Sequence, residues 1–185
     1  MAEETQFKWE GKATAELKST KPDQVWPFLE DFCSLHKWMP SLDTCYQVEG
    51  VKGQPGLIRY CSSTAASPDN PDQTTVNWVK EKLLTIDPIN HCFSYEVLDN
   101  NMGFNSYVTT FKVIPINGGG CLIQWSFVCD PVQGWRYEDL ASYIDSSLQF
   151  MAKKMEETLQ HAIWLLRCIF ICTLVYVFIW SFKIM

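Results

Sequence analysis

The chain has 185 residues, an apolar fraction of 47% with aromatics at 14%, and a formal net charge of −6. One ordinary domain fits that length, the apolar content is ample for a core and a cavity, and disordered and fibrous classes are excluded. Two of the 15 basic residues, Arg167 and Lys183, lie beyond residue 160; the preceding part keeps 13 against 21 acidic groups, a net charge of −8, so no nucleic-acid or anionic-lipid surface is expected.

The N-terminal stretch MAEETQFKWEGK is acidic and polar, without the basic and apolar regions of a secretory signal, which predicts a cytoplasmic domain. The eight cysteines stand singly, with no CxxC pair, and read as reduced core residues. Trp9, Gly11, Ala13, Ala15 and Leu17 alternate with polar residues, as in a half-buried strand. Ser19 or Thr20 is then placed to cap a helix from about Pro22, with Val25, Trp26, Phe28, Leu29 and Phe32 on one face and Pro27 expected to kink or shorten it. A second short helical or turn segment is expected around 33–37. Six strand-like runs follow, at 42–49, 57–62, 75–86, 92–98, 104–114 and 121–129, joined by turn-rich connectors. After Pro131 and Gly134, Leu140, Ile144, Leu148, Met151, Met155 and Leu159 recur at helical spacing. Residues 6–160 thus read as one α+β domain. Strand, two short helices, six strands and a long helix is the order of a helix-grip fold, in which a curved seven-stranded antiparallel sheet wraps around the C-terminal helix and leaves a cavity.

The tail is a compositional break. Residues 162–182, AIWLLRCIFICTLVYVFIWSF, carry Arg167 as their only charge. As a helix they would span roughly 31 Å, enough for a transmembrane tail anchor that leaves the domain cytosolic, with Arg167 snorkelling on the domain side. An apolar extension of the last helix, or a variant terminus of an otherwise soluble protein, fits the same residues.

No phosphate-cradling, zinc-protease or serine-hydrolase motif is present, and His36, His91 and His161 show no ligand spacing, so no metal, nucleotide or other cofactor is expected. The informative residues are charges in the wrong register. In TVNWVKEKLL, Glu81 shares a face with Asn77, Val79 and Leu83 while the lysines take the other; in GLIRYCSS, Arg59 shares a face with Leu57 and Cys61. An inward Glu and an inward Arg on adjacent strands invite pairing. The pattern alone fits a functional pair, a buried ion pair without function, or a register in which both reach solvent. Tyr107 shares a face with Asn105, Thr109 and Phe111 and could offer its hydroxyl to a ligand or serve as core; Trp125 reads chiefly as core. The small, polar stretch between Ser62 and Gln73 suits a lid or a plain connector.

The stretches WEGKATAEL, TKPDQVW, LHKWMPSL, GLIRY, WVKEKL and WSFVC resemble, in order and spacing, the plant lachrymatory factor synthases within the polyketide cyclase, Bet v 1 and START-type helix-grip superfamily. The resemblance covers about residues 9–160. It implies a cofactor-free isomerase that rearranges a 1-alkenyl sulfenic acid into a thial S-oxide by moving a proton. Its essential Arg and Glu fall on Arg59 and Glu81, and a pocket Tyr falls on Tyr107. Arg59 would hold the sulfenic oxygen, Glu81 would shuttle the proton and Tyr107 would steady the oxygen. Leu35, Trp38, Asn77, Val79, Phe104, Trp125 and Phe150 would line the pocket around a small apolar or amphipathic molecule, in a monomer. Asn77 stands where the family enzyme has an aromatic, Trp38 where it has a smaller aliphatic, and Phe150 near a Trp, differences that bear on the substrate. The other reading the superfamily allows is a binding or transfer protein for a lipid-like or hormone-like ligand. The SGLPA gate and HRL latch of the abscisic acid receptors are absent.

Overall fold

The structure, a computed structural model, describes residues 7–66 and 73–182, with the side chains of 163, 166–168 and 170–182 excluded. Strand β1 (Trp9–Leu17) leads into helix α1 (Pro22–Glu30) and a 3-10 helix (Phe32–Lys37). Then come β2 (Thr44–Glu49), β3 (Ile58–Ala66), β4 (Thr74–Asp87), β5 (Cys92–Asn100), β6 (Val108–Pro115) and β7 (Cys121–Cys129), and the chain closes on helix α2 (Tyr137–Phe182). The seven strands form one open antiparallel sheet in the order β1-β7-β6-β5-β4-β3-β2. The two short helices carry the chain from one edge of this sheet to the other. With the long helix against it, this is the α+β helix-grip arrangement expected from the order of elements.

Alternation explains the sheet's buried face. Ala13, Ala15 and Leu17 of β1 are buried between exposed Lys12, Thr14 and Glu16, and β7 buries Cys121, Ile123, Trp125, Phe127 and Cys129. Helix α2 lays Leu140, Ile144, Leu148, Met151 and Met155 on that face, each at most 1% exposed. A fully buried side chain of this kind contributes about 1.5–3 kcal/mol. The helix can approach β1 closely because residue 11 is Gly: a Cβ there would lie 2.6 Å from the Phe127 ring and 3.1 Å from the Tyr137 hydroxyl.

Several boundaries differ from expectation. Neither Ser19 nor Thr20 caps α1. Lys21 holds that position, its N–H donating to Gln24 Oε1 at 3.0 Å, while Thr20 is buried. The helix runs through Pro27 and ends three residues later, where Asp31 leaves helical geometry. Strand β6 begins at Val108 because Gly103 and Ser106 adopt φ values of +82° and +48°, which break an extended run. The Asn100 side chain fixes that turn, accepting from Met102 N at 2.9 Å and Phe104 N at 3.0 Å and donating to Phe104 O at 2.8 Å. Residues 67–72, within the stretch considered as a lid, lie outside the described residues.

No Gly or Pro follows Gly134, and α2 runs unbroken for 46 residues, about 69 Å at the usual rise. Among the described residues no helix is long and apolar enough to cross a membrane. The 162–182 run keeps a helical backbone through Phe182, but Arg167 and most of its other side chains lie outside the described ones.

Candidate functional site

The inner face of β3 and β4 carries the charges singled out by their register. Arg59 and Glu81 stand directly opposite each other across the β3–β4 pair. Arg59 Nε donates to Glu81 Oε2 at 2.6 Å, and the two residues are only 2% and 7% exposed. Sequence register explains the placement: a shift of one residue in β3 would turn Arg59 outward with Leu57 and Cys61, and one in β4 would turn Glu81 outward with Leu83. Local irregularity refines it. Opposite the step from Lys80 to Glu81, strand β5 carries one extra residue, Leu98, and a second irregularity falls between Leu83 and Thr85. Such bulges bend a sheet and re-aim side chains. Here they flank the carboxylate.

The guanidinium is boxed. Its Nη1 donates to the Phe32 carbonyl, and its flat face lies 3.8 Å from the Phe32 ring centroid and 4.9 Å from that of Tyr95. Glu81, Tyr95 and two nearby thiols hold Arg59 well above the ordinary guanidinium range against the opposing effect of burial, so it stays charged. Glu81, by contrast, borders open space. It helps to line a cavity of about 90 Å³ between the sheet, the 3-10 helix and α2. Oε1 of Glu81 has no protein partner among the described hydrogen bonds.

The rest of that wall is apolar with a few polar points. Leu35, Met39 and Leu42 come from the 3-10 helix and its continuation, Asn77 and Val79 from β4, and Tyr95 and Val97 from β5. Met102, Phe104 and Tyr107 close one side, Trp125 sits on the floor, and Leu140, Tyr143 and Ile144 of α2 form the roof. Tyr107 and Tyr95 are buried to 6% and 2% exposure. Burial pushes both phenols above their usual range, and the charge of Glu81 adds to the rise; a bond with Thr109 offsets part of it for Tyr107. Both therefore remain protonated donors at any physiological pH. Trp125 Nε1 donates to Thr109 Oγ1 at 2.8 Å, which donates in turn to the Ser126 carbonyl at 2.8 Å, so the floor is a satisfied buried network.

Of the residues expected in the pocket, Leu35, Asn77, Val79, Glu81, Phe104, Tyr107 and Trp125 line the cavity. Three do not. Phe150 is 44% exposed and points away, because the helical face that carries Leu148 and Met151 inward turns residue 150 to solvent. Trp38 is buried elsewhere: its ring packs on Phe28 at 4.4 Å and borders a separate void of about 10 Å³. Arg59 borders that same small void and reaches the main cavity only through Glu81. Tyr95 was not singled out from the sequence, although its alternation with Phe93 and Val97 in β5 carries the signal. Among the described residues, no group of three or more His, Cys, Asp or Glu is placed to hold a metal ion.

An apolar chamber with one half-free carboxylate and two protonated phenols can bind a small molecule, move a proton at Glu81 and steady a developing oxyanion. Comparison with known proteins agrees with the architecture. Residues 8–160 match the family described as polyketide cyclase / dehydrase and lipid transport. The chain is similar to the protein XoxI from Bacillus cereus, with 20% identity and a TM-score of 0.61 over 80% of this chain and 94% of that one. It is similar also to an uncharacterized protein from Bacillus thuringiensis, with 17% identity and a TM-score of 0.59 over 80% and 97% of the two chains. At these identities the likeness concerns the fold.

Proposed function

The chain belongs to the polyketide cyclase / dehydrase and lipid transport family, and from that premise we propose that it is a cofactor-free isomerase of the lachrymatory factor synthase type, acting on a small sulfenic acid or a similarly small apolar substrate. One observation carries the reading. Glu81 has one oxygen tied to a buried arginine at 2.6 Å and, among the described hydrogen bonds, no protein partner for the other, while the residue itself lines an apolar cavity. A carboxylate used only as a structural counter-ion has no need of a free oxygen facing open space.

In this reading Glu81 accepts the proton of the S–O–H group and delivers it to the alkenyl carbon remote from sulfur. The O–H bond breaks and leaves its pair on the sulfenate, the C=C π pair forms the new C–H bond with the delivered proton, and an electron pair of the sulfenate S–O unit makes C=S. The phenols of Tyr107 and Tyr95 donate hydrogen bonds to the oxygen as it loses its proton. Arg59 serves as a positioning residue, because its Nε, its Nη1 and its flat face are already engaged by Glu81 and Phe32. A cavity of about 90 Å³ favours a molecule of a few heavy atoms; sites for drug-sized ligands run to about 300–1,000 Å³. The same volume weighs against the second reading, a carrier of lipid-like or hormone-like ligands, although the apolar lining is compatible with it. The deciding experiment is an alkenyl sulfenic acid generated in situ, with thial S-oxide formation measured alongside native mass spectrometry of the purified chain. Product formation without a retained ligand supports the isomerase; a stoichiometric apolar ligand without turnover replaces it by the carrier.

We propose further that residues 162–182 tether the domain to a membrane. The run of 21 residues with a single charge continues a helix that nothing interrupts. The tagged full chain is expected to stay in the pellet on alkaline carbonate extraction, and complete recovery in the soluble fraction sinks the anchor.

A further inference from the structure

Strands β2 and β3 bring two cysteines face to face. Cys45 and Cys61 are register partners, their sulfurs 3.2 Å apart, and they are 6% and 2% exposed. Cys61 also lines the main cavity, two residues along the same face from Arg59. A disulfide needs the sulfurs at about 2.05 Å, so closure asks for a movement of roughly an ångström between strands already paired. We infer that Cys45 and Cys61 form a redox-active dithiol, closed into a cross-strand disulfide by hydrogen peroxide. This goes beyond the isomerase reading and does not depend on it.

The surroundings suit the chemistry. Cys61 donates its S–H to Cys45, and that bond, helped by the Arg59 guanidinium, the Leu35 backbone and the His36 side chain, holds the Cys45 thiol below the ordinary thiol range against the opposing effect of burial. Accepting that arrangement raises Cys61 well above the ordinary thiol range. Cys121 and Cys129, buried on β7 without such a partner, are pushed up to about 11. The thiolate is the nucleophile, so the pair reacts ahead of the other buried thiols. Hydrogen peroxide is close to water in size and fits the cavity of about 90 Å³ that Cys61, though not Cys45, borders. The Cys45 thiolate attacks one peroxide oxygen: an S–O bond forms, the O–O bond breaks, and the departing hydroxide takes the Cys61 proton. Cys61 then displaces hydroxide from the Cys45 sulfenic acid as the S–S bond forms. Two thiols and one peroxide yield one disulfide and two waters. Closure removes a negative charge beside Arg59 and leaves Glu81 as its main counter-ion.

The test treats the full chain with hydrogen peroxide at increasing pH, blocks free thiols with N-ethylmaleimide in denaturant, and maps the peptides. A 45–61 crosslink reversible by dithiothreitol is expected, with Cys121 and Cys129 still alkylated. Its rate should rise with pH as Cys45 ionises and level off below the pH at which an ordinary thiol would. Recovery of both cysteines alkylated, or Cys61 alone carried to the sulfinic acid, overturns the inference. In Cys45→Ser, checked for folding by circular dichroism, oxidation at Cys61 should slow at least about tenfold; an unchanged rate shows that the two do not act together.

Discussion

Glu81→Gln is expected to cut turnover of an alkenyl sulfenic acid by about 10²–10⁴-fold, the contribution typical of a positioned general acid–base group, while the domain stays folded. The substitution keeps the volume and an acceptor for Arg59 Nε but removes the oxygen that can take a proton. Nothing else on the described cavity wall is equipped to replace it: the phenols of Tyr95 and Tyr107 and the Cys61 thiol are held protonated, and Ser62, Ser63 and Asn77 carry no group that accepts a proton near neutral pH. The thermal midpoint should fall too, because Arg59 loses its buried counter-charge, so turnover is compared at a temperature where circular dichroism shows both proteins folded, and there the rate of the variant should still collapse. Full turnover by Glu81→Gln would eliminate the carboxylate shuttle. If instead a small apolar probe binds the wild type and Glu81→Gln equally and neither turns over substrate, the cavity is a binding site only.

Why the charges were legible and parts of the pocket were not comes down to range. The inward register of Arg59 and Glu81 is a period-2 property, visible in VKEKLL and LIRYC without tertiary information. Their opposition across β3 and β4 then follows from the hairpin register. The box around Arg59 is different in kind. Phe32 reaches it from the 3-10 helix, 27 residues away in sequence, and no local pattern says that its carbonyl and ring will close over a guanidinium. For that reason the resemblance assigns Arg59 to the substrate whereas the geometry places it behind the carboxylate. Trp38 and Phe150 were misplaced for two separate reasons. Phe150 lies one step off the buried face of α2, an error of about 100° on a helix. Trp38 ends an irregular 3-10 turn, where no period predicts side-chain direction. The start of β6 was set by an Asn100-anchored turn, whose side-chain bonds override the extended propensity of FNSYV.

Arg59→Met should lower stability by about 3–5 kcal/mol, because it leaves the Glu81 carboxylate buried without its counter-charge. Burying a charge without a partner is the expensive step. Exposures of 2% and 7% leave little water to compensate, unlike the half-exposed pairs such as Lys82 with Glu96 on the outer face. The double variant Arg59→Met/Glu81→Gln removes the orphaned charge and should recover most of the loss, since an apolar replacement of a buried ion pair is often close to neutral. Urea unfolding of the four proteins gives the coupling directly, provided the slope of the transition is shared. Arg59→Lys separates position from charge: it keeps a cation near Glu81 but cannot bond the carboxylate and the Phe32 carbonyl together, so stability should fall less than in Arg59→Met while turnover falls with little change in KM. A single-variant cost below about 1 kcal/mol, with no recovery in the double variant, would mean that water screens the pair. The guanidinium would then be free to meet the substrate itself, and the division of labour between a buried positioning cation and a cavity-facing carboxylate would have to be abandoned.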